Sequence, residues 1–116
     1  PIHIGKIVVC PEWIKYDEKD GEYIVKLDSN MAFGTGEHET TSSCVEFLEK
    51  YVKENDTVID VGCGSGILGI SASKLGAKKV IMTDIDECAT SASEHNVKLN
   101  NVSNAEIFLK NLLDYS

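Results

Sequence analysis

The chain has 116 residues, of which 42% are hydrophobic and 26% charged, and these proportions are close to those of ordinary soluble domains. The length allows one modest domain that buries roughly two thirds of its unfolded surface. The composition excludes disorder, collagen and coiled coil. The net charge of −8 disfavours a nucleic-acid-binding face, because an acidic surface repels phosphates. Since no apolar run is long enough, we expect neither a membrane span nor a secretory leader.

The four cysteines, Cys10, Cys44, Cys63 and Cys88, contain no closely spaced pair. This spacing predicts neither a zinc framework nor a redox pair, and we expect reduced thiols in a cytoplasmic protein. The first residue is Pro1 rather than methionine. We therefore expect the chain to be processed or to be part of a longer protein.

Two β-branched, apolar segments lie within residues 1–30, from Ile4 to Cys10 and from Tyr23 to Leu27. The polar region from Tyr16 to Gly21, which ends in Asp-Gly, separates them and indicates a turn. This pattern predicts a β-hairpin or two packed strands.

Helical and strand periods alternate in the rest of the chain. An apolar stripe from Cys44 to Val52 predicts a helix, with Thr41 to Ser43 as N-cap candidates. The following elements are then predicted in order: strand Thr57–Val61, helix Ile67–Leu75 ended by Gly76, strand Lys79–Thr83, helix Glu87–Leu99 capped by Asp86, and strand Ala105–Leu109. This alternation is typical of an α/β fold with a parallel sheet and flanking helices. We predict a Rossmann-like core over 42–116.

A glycine-rich turn lies in the segment VIDVGCGSGILGIS, residues 58–71. Gly62, Gly64 and Gly66 follow a predicted strand and precede a predicted helix. Glycine lets the backbone turn sharply and approach a ligand closely, and a helix N-terminus presents unpaired N–H groups. The turn therefore predicts cofactor binding. Gly64, Gly66 and Gly69 also satisfy G-x-G-x-x-G, so a nicotinamide cofactor stays open, as does a turn that serves only strand–helix packing.

Two carboxylates flank this turn. Asp60 precedes the first glycine by two residues, where it can hold the N–H groups of the turn or accept a hydrogen bond from a ligand ammonium. Asp84 ends the next strand, 22 residues after Gly62, where it can accept from the ribose hydroxyls of either cofactor class. Ile85 can lie against an adenine face or pack in the core.

The segment NMAFGTGEHETT, residues 30–41, is rich in glycine and hydroxyl groups that core packing does not require. It predicts a cofactor loop over 31–41. Glu37, His38 and Glu39 form its cluster of acid–base candidates, and His38 is the candidate for proton transfer. A lone histidine is more often structural, and without a second histidine or a close cysteine no metal site is predicted.

The combination of FGTGEHETT with DVGCGSGIL resembles the PrmA-type ribosomal protein methyltransferases, which modify the eleventh large-subunit ribosomal protein. The resemblance extends through most of the chain, over IVVCPEW (7–13), LDSNMAFGTGEHETTSSCVEFLE (27–49), VIDVGCGSGILGISASKLGAKKV (58–80), TDID (83–86) and SEHNVKLNNV (93–102).

This resemblance implies a class I methyltransferase fold, S-adenosyl-L-methionine as cofactor, and methyl transfer to lysine side chains and the N-terminal α-amine of a ribosomal protein. Matched position by position, the family's cofactor-contacting residues correspond to Thr41, Gly62 and Asp84. The loop that closes over the cofactor corresponds to Phe33, Gly34, Thr35 and Gly36.

The chain departs from the family pattern in two respects. Asp28-Ser29-Asn30 replaces the usual Asp-Pro-Gly, and asparagine tolerates the left-handed geometry of such a turn. The family's N-terminal recognition domain and its Asn-containing motif after the third strand have no counterpart. We therefore expect a fold truncated after the third core strand and weak catalysis by the piece alone. A binding module without catalysis, a methyltransferase acting on RNA or a small molecule, and an NAD-dependent oxidoreductase stay open as alternatives.

Overall fold

The computed structural model describes residues 2–27 and 35–109, with the backbone alone for residues 35–40. The elements in chain order are β1 (Ile2–Ile4), β2 (Ile7–Pro11), β3 (Tyr23–Leu27), α1 (Thr35–Tyr51), β4 (Thr57–Val61), α2 (Ile67–Lys74), β5 (Lys79–Asp84), α3 (Glu87–Leu99) and β6 (Ala105–Leu109). The strands form two sheets of three, in the orders β1-β2-β3 and β4-β5-β6.

The N-terminal sheet differs from the sequence prediction in its connections. The segment from Ile4 to Cys10 is divided by a turn at Gly5, and β1 pairs antiparallel with β2 across it. Strand β3 pairs parallel with β2, with Ile7 opposite Tyr23. The prediction of two packed strands is therefore confirmed, but a hairpin between them is wrong. Parallel partners need a connection that returns the chain to the starting end, and residues 12–22 supply it.

Helix α1 begins earlier than predicted. It starts at Thr35, so Thr41 to Ser43 lie inside the helix and the N-cap assigned to them is wrong. The segment from Thr35 to Thr41 contains no large apolar residue, so the apolar stripe could not reveal its helical conformation. The part of the predicted cofactor loop from residue 35 onwards is thus the first part of a helix.

The central sheet β4-β5-β6 is parallel throughout, with α2 and α3 as the connections between its strands. The predicted bounds of its strands and helices agree with the structure to within one residue. Val61 lies opposite Thr83, so β4 and β5 end at the same edge of the sheet. In open parallel sheets, ligands bind outside the carboxyl ends of the strands. A binding site is therefore expected at this edge.

Two apolar clusters stabilise the described fold. One joins the N-terminal sheet to α1 and α2, and its buried members are Ile4, Ile7, Val9, Val25, Leu27, Val45, Ile67 and Ile70. The other lies between α2 and β5 and includes Ala72, Val80 and Met82. Gly69 allows that second contact, because a Cβ at this position would collide with the Met82 side chain.

The four cysteines are free thiols, with Cys10 and Cys63 buried, Cys44 half-buried and Cys88 exposed. In the part of the chain that the structure describes, no helix combines the length and apolar character needed to cross a membrane.

Candidate functional site

The glycine turn after β4 requires its glycines. Gly62, Gly64 and Gly66 have φ angles of 72°, 52° and 86°, which lie in the left-handed region that other residues adopt at a cost. The N–H groups of Gly62 and Cys63 both donate to the carbonyl of Thr83, at 2.8 and 3.0 Å. These bonds hold the turn against the end of β5, at the edge where both strands stop.

The three turn glycines differ in what surrounds them. A Cβ on Gly62 or Gly64 would meet no atom of the described residues within 4 Å, whereas a Cβ on Gly66 would lie 3.3 Å from the Ser93 Oγ. Gly66 therefore allows α3 to approach the turn, and the other two leave the backbone open on one side. Gly69 packs against Met82, so it has the helix–strand packing role of the last glycine in G-x-G-x-x-G.

Asp84 is bound to the glycine turn. Its Oδ2 accepts a hydrogen bond from the Gly64 N–H at 3.2 Å, and its Oδ1 accepts one from the Asp86 N–H at 2.9 Å. The side chain is half-buried at the end of β5, and the next residue, Ile85, is 76% exposed. A carboxylate and an exposed apolar side chain therefore border the open side of the turn.

Asp60 is a buried carboxylate on β4, only 9% exposed. Its Oδ2 has no hydrogen-bond partner among the described residues. Burial raises the pKa of Asp60 to about 6, a hydrogen bond from the Gly69 N–H opposes this rise, and the charge of Asp84 adds to it. A buried carboxylate oxygen without a partner is unfavourable unless a donor or a cation reaches it, so the Oδ2 of Asp60 is suited to bind a positively charged ligand group.

An apolar cavity of about 350 Å³ adjoins Asp60, between α1 and the outer edge of β4. It is lined by Ser43, Cys44, Phe47, Leu48, Val58, Ile59, Asp60 and Leu68. Phe47 and Ile59 are 62% and 55% exposed, which is high for side chains of this size. The sequence did not predict this cavity, because it arises only when α1 and β4 are brought side by side.

The upstream candidates lie on or before α1. Thr41 is a half-buried residue of this helix, and Thr35 and Gly36 belong to its first turn. Phe33 and Gly34 lie outside the described residues, as does the side chain of His38. Among the residues whose side chains are described, no group of three or more histidine, cysteine or acidic residues could hold a metal ion.

Two side chains at this site were missed by the sequence reasoning. Ser93 and Asn96 lie on α3, are fully buried, and donate to the carbonyls of Gly64 and Ser65, each at 2.8 Å. Polar residues in an amphipathic helix are usually interpreted as its solvent-facing side. The available signal was the SEHNVKLNNV segment of the family resemblance, which contains both residues.

Comparison with known proteins agrees with this architecture. Residues 1–115 match the family model described as ribosomal protein L11 methyltransferase (PrmA). The protein named ribosomal protein L11 methyltransferase from Caldanaerobacter subterraneus subsp. tengcongensis is 55% identical over 114 residues, covering 97% of this chain and 37% of the relative. The protein of the same name from Clostridium perfringens strain SM101 is 53% identical over 115 residues, covering 98% and 37%.

A solved structure gives the same result for the fold. The crystal structure of the ribosomal protein L11 methylase from Lactobacillus delbrueckii subsp. bulgaricus superimposes with a TM-score of 0.83 at 36% identity, over 95% of this chain and 55% of that one. The chain spans little more than a third of the length of the curated relatives that it matches. The family match over nearly every residue and the shared fold lead to one conclusion: the chain belongs to the ribosomal protein L11 methyltransferase (PrmA) family.

Proposed function

We propose that this chain is the S-adenosyl-L-methionine-binding part of a methyltransferase that acts on ribosomal protein L11. One observation carries the proposal: the carboxylate of Asp84 borders an open glycine turn, and Asp60, two residues before that turn, has a buried Oδ2 without a partner among the described residues. Family membership and the names of the relatives support the same cofactor and substrate.

The residues of the site fit the parts of this cofactor. Gly62 and Gly64 leave room for close approach to the backbone. Asp84 would accept hydrogen bonds from the ribose hydroxyls, and exposed Ile85 would lie against the adenine. Asp60 would pair with the ammonium of the methionine part, because its Oδ2 lacks a partner among the described residues.

The segment before β4 is assigned to the same site. We propose that Thr41 contacts the cofactor and that the segment 33–36, which runs into the first turn of α1, closes over it, by position-by-position resemblance to the family. The half-buried position of Thr41 on α1 is compatible with this role. Gly66 contributes indirectly, since it allows α3 to support the turn.

The chemistry is methyl transfer to an amine, and the cofactor supplies an electrophilic methyl group. The task of the protein is to align a neutral amine with that group. Deprotonating a lysine at pH 7 costs about 4.6 kcal/mol, so a desolvated pocket or a base must help, and His38 is our candidate. We propose lysine side chains and the N-terminal α-amine as acceptors, in the cytoplasm, without direct binding of nucleic acid or membrane.

Calorimetry on the full-length protein tests the cofactor. S-adenosylhomocysteine should bind more tightly than NADH, and tighter binding of NADH would overturn the assignment. Asp84→Asn should weaken S-adenosylhomocysteine binding by about 1.5–3 kcal/mol, roughly ten- to a hundredfold, because a charged acceptor is lost. Asp86→Asn is the matched control, since Asp86 is an exposed carboxylate of the same loop.

Asp84 also binds the Gly64 N–H, so its ligand contact must be separated from its effect on the turn. The 2′-deoxyribose analogue of S-adenosylhomocysteine does so. If Asp84 binds the ribose hydroxyls, Asp84→Asn and removal of the hydroxyl together should reduce the binding free energy by less than the sum of their separate effects. Losses that simply add would show that Asp84 only holds the turn.

Incubation of the full-length protein with ribosomal protein L11 and labelled cofactor tests the substrate. Label on lysine side chains or on the α-amine is expected. Label on ribosomal RNA instead would favour an RNA methyltransferase, and cofactor binding without any transfer would favour a binding module.

A further inference from the structure

One face of α3 carries buried polar side chains where apolar ones are expected. Ser93 and Asn96 are fully buried, and Asn100, at the C-cap, is 5% exposed. Their spacing of three and four residues places them in a row along the helix. We call Ser93, Asn96 and Asn100 the polar row. Burying three polar side chains is unfavourable unless each is hydrogen-bonded, so their partners indicate what the row does.

The first two members of the polar row bind the glycine turn on the side that faces α3. Ser93 Oγ donates to the Gly64 carbonyl at 2.8 Å, and Asn96 Nδ2 donates to the Ser65 carbonyl at 2.8 Å. These are consecutive carbonyls of the turn. Because a trans peptide unit is planar, holding the Gly64 carbonyl towards α3 directs the N–H of Ser65 to the opposite side. The polar row thus fixes the orientation of the backbone on the open side of the turn.

The third member binds the N-terminal sheet. Asn100 Oδ1 accepts from the Lys26 N–H at 2.6 Å, and Asn100 Nδ2 donates to the Lys26 carbonyl at 2.8 Å. Both backbone groups of Lys26 are therefore paired with one side-chain amide, as they would be with a neighbouring strand. Lys26 is the penultimate residue of β3.

We propose that Ser93, Asn96 and Asn100 are positioning residues that make the glycine turn and β3 one rigid unit. This inference rests on the proposed function, because its purpose is to hold the turn assigned to the cofactor at a fixed distance from β3. The members of the row do not touch the cofactor themselves. They act through the carbonyls of Gly64 and Ser65 and through the backbone of Lys26.

Asn96→Asp in the full-length protein is the main test, because it removes the donor to Ser65 with almost no change in shape. The dissociation constant of S-adenosylhomocysteine should rise about tenfold, and KM for the cofactor should rise more than kcat falls. Ser93→Ala is a milder second variant, to be used if Asn96→Asp fails to fold. It should also raise the dissociation constant.

Asn104→Asp is the matched control. Asn104 Nδ2 donates to the Ala77 carbonyl at 2.8 Å, which is the same kind of bond, but it lies before β6 at the other end of the sheet. This variant should lower Tm while leaving the dissociation constant within twofold of wild type. If Asn104→Asp weakens binding as much as Asn96→Asp, or if the row variants bind as wild type, the positioning role is wrong.

Hydrogen exchange separates this inference from the proposed function. Asn100→Asp cannot donate to Lys26, and should speed exchange of the amides from Gly62 to Gly66 if the row transmits rigidity. Unchanged exchange there would overturn the coupling whether or not the cofactor binds. Absence of S-adenosylhomocysteine binding by the wild type would instead overturn the proposed function.

Discussion

Helices α2 and α3 begin at the same edge of the central sheet, each after a parallel strand, but their first turns are built differently. The N-cap of α3 is Asp86, with extended backbone at φ −100°, and its side chain accepts from the Cys88 N–H at 2.9 Å. The N-cap of α2 is Gly66, at φ 86°, and provides no side-chain cap. The first turn of α3 also contains an acidic residue, Glu87, whereas that of α2 contains none.

The difference shows which helix has an N-cap side chain for its first N–H groups. In helix α3 the side chain of the N-cap residue, Asp86, accepts from the Cys88 N–H, so this helix supplies its own cap, as most helices do. In helix α2 the N-cap itself has no side chain: the Ser65 Oγ accepts from the Ile67 N–H at 3.4 Å, and Asp60 of the preceding strand accepts from the Gly69 N–H. A helix start without its own cap, beside open glycines and a buried carboxylate, is suited to a ligand.

The largest effect is expected from Asp60→Asn, because it removes a buried charge. The pKa of Asp60 is raised from 3.8 to about 6, so the folded state binds this proton more tightly than the unfolded state does. The associated stability is present below about pH 4 and is lost as pH rises through 6, a change of about 3 kcal/mol. Without cofactor, Asp60→Asn should therefore gain stability relative to wild type by about that amount between pH 4 and pH 7.

Urea unfolding at several pH values measures this gain. Saturating S-adenosylhomocysteine should reduce it, since a ligand ammonium favours the charged carboxylate. Parallel stability curves for the two proteins would show that Asp60 is not buried as described.

A smaller effect is expected from Gly66→Ala. The left-handed φ of 86° costs alanine roughly 1–2 kcal/mol, and its Cβ would also lie 3.3 Å from the Ser93 Oγ. Thermal unfolding of the full-length variant should show this loss. Asp86→Gly is the matched substitution at the N-cap of α3, and should cost only a few tenths of a kcal/mol. Equal losses at the two caps would contradict the contrast between them.

The smallest effect is expected from Asp86→Ala. Loss of the bond to the Cys88 N–H should cost about 1 kcal/mol of stability, as for other N-caps. Cofactor affinity should change by less than twofold, because the Asp86 side chain caps only the helix, and the substitution keeps the backbone N–H that donates to Asp84. Unfolding and calorimetry on the same preparation measure both, and a tenfold loss of affinity would assign Asp86 to the site.

Much of the central fold could be predicted because its signals are local. The elements from β4 to β6 follow from apolar periodicity, and the start of α3 follows from Asp86. The antiparallel or parallel direction of β2 and β3 could not be predicted, because both pairings bury the same apolar residues. The start of α1 was predicted too late, because the segment from Thr35 to Thr41 has no apolar period.

The candidate site likewise has some features that the sequence predicts and others that only the structure shows. Glycines at 62, 64 and 66 are visible in the sequence because few other residues adopt the geometry of such a turn, and Asp60 and Asp84 are visible because strand ends in a parallel sheet share an edge. The roles of the site residues remain predictions. Tertiary structure alone showed that Asp84 binds Gly64, and that Ser93 and Asn96 support the turn.

The sequence by itself determined the order of the central elements, the glycine turn and the family resemblance, because periodicity, conformational freedom and motif spacing are properties of neighbouring residues. Only the tertiary structure decided which polar groups are buried and what they bind. Lys26 and Asn100 are 74 residues apart, and their pairing depends on how β3 and α3 pack. Such contacts leave no signal in the local sequence. Their hydrogen bonds are strengthened by the low dielectric of the interior, and that interior exists only once the whole fold has excluded water.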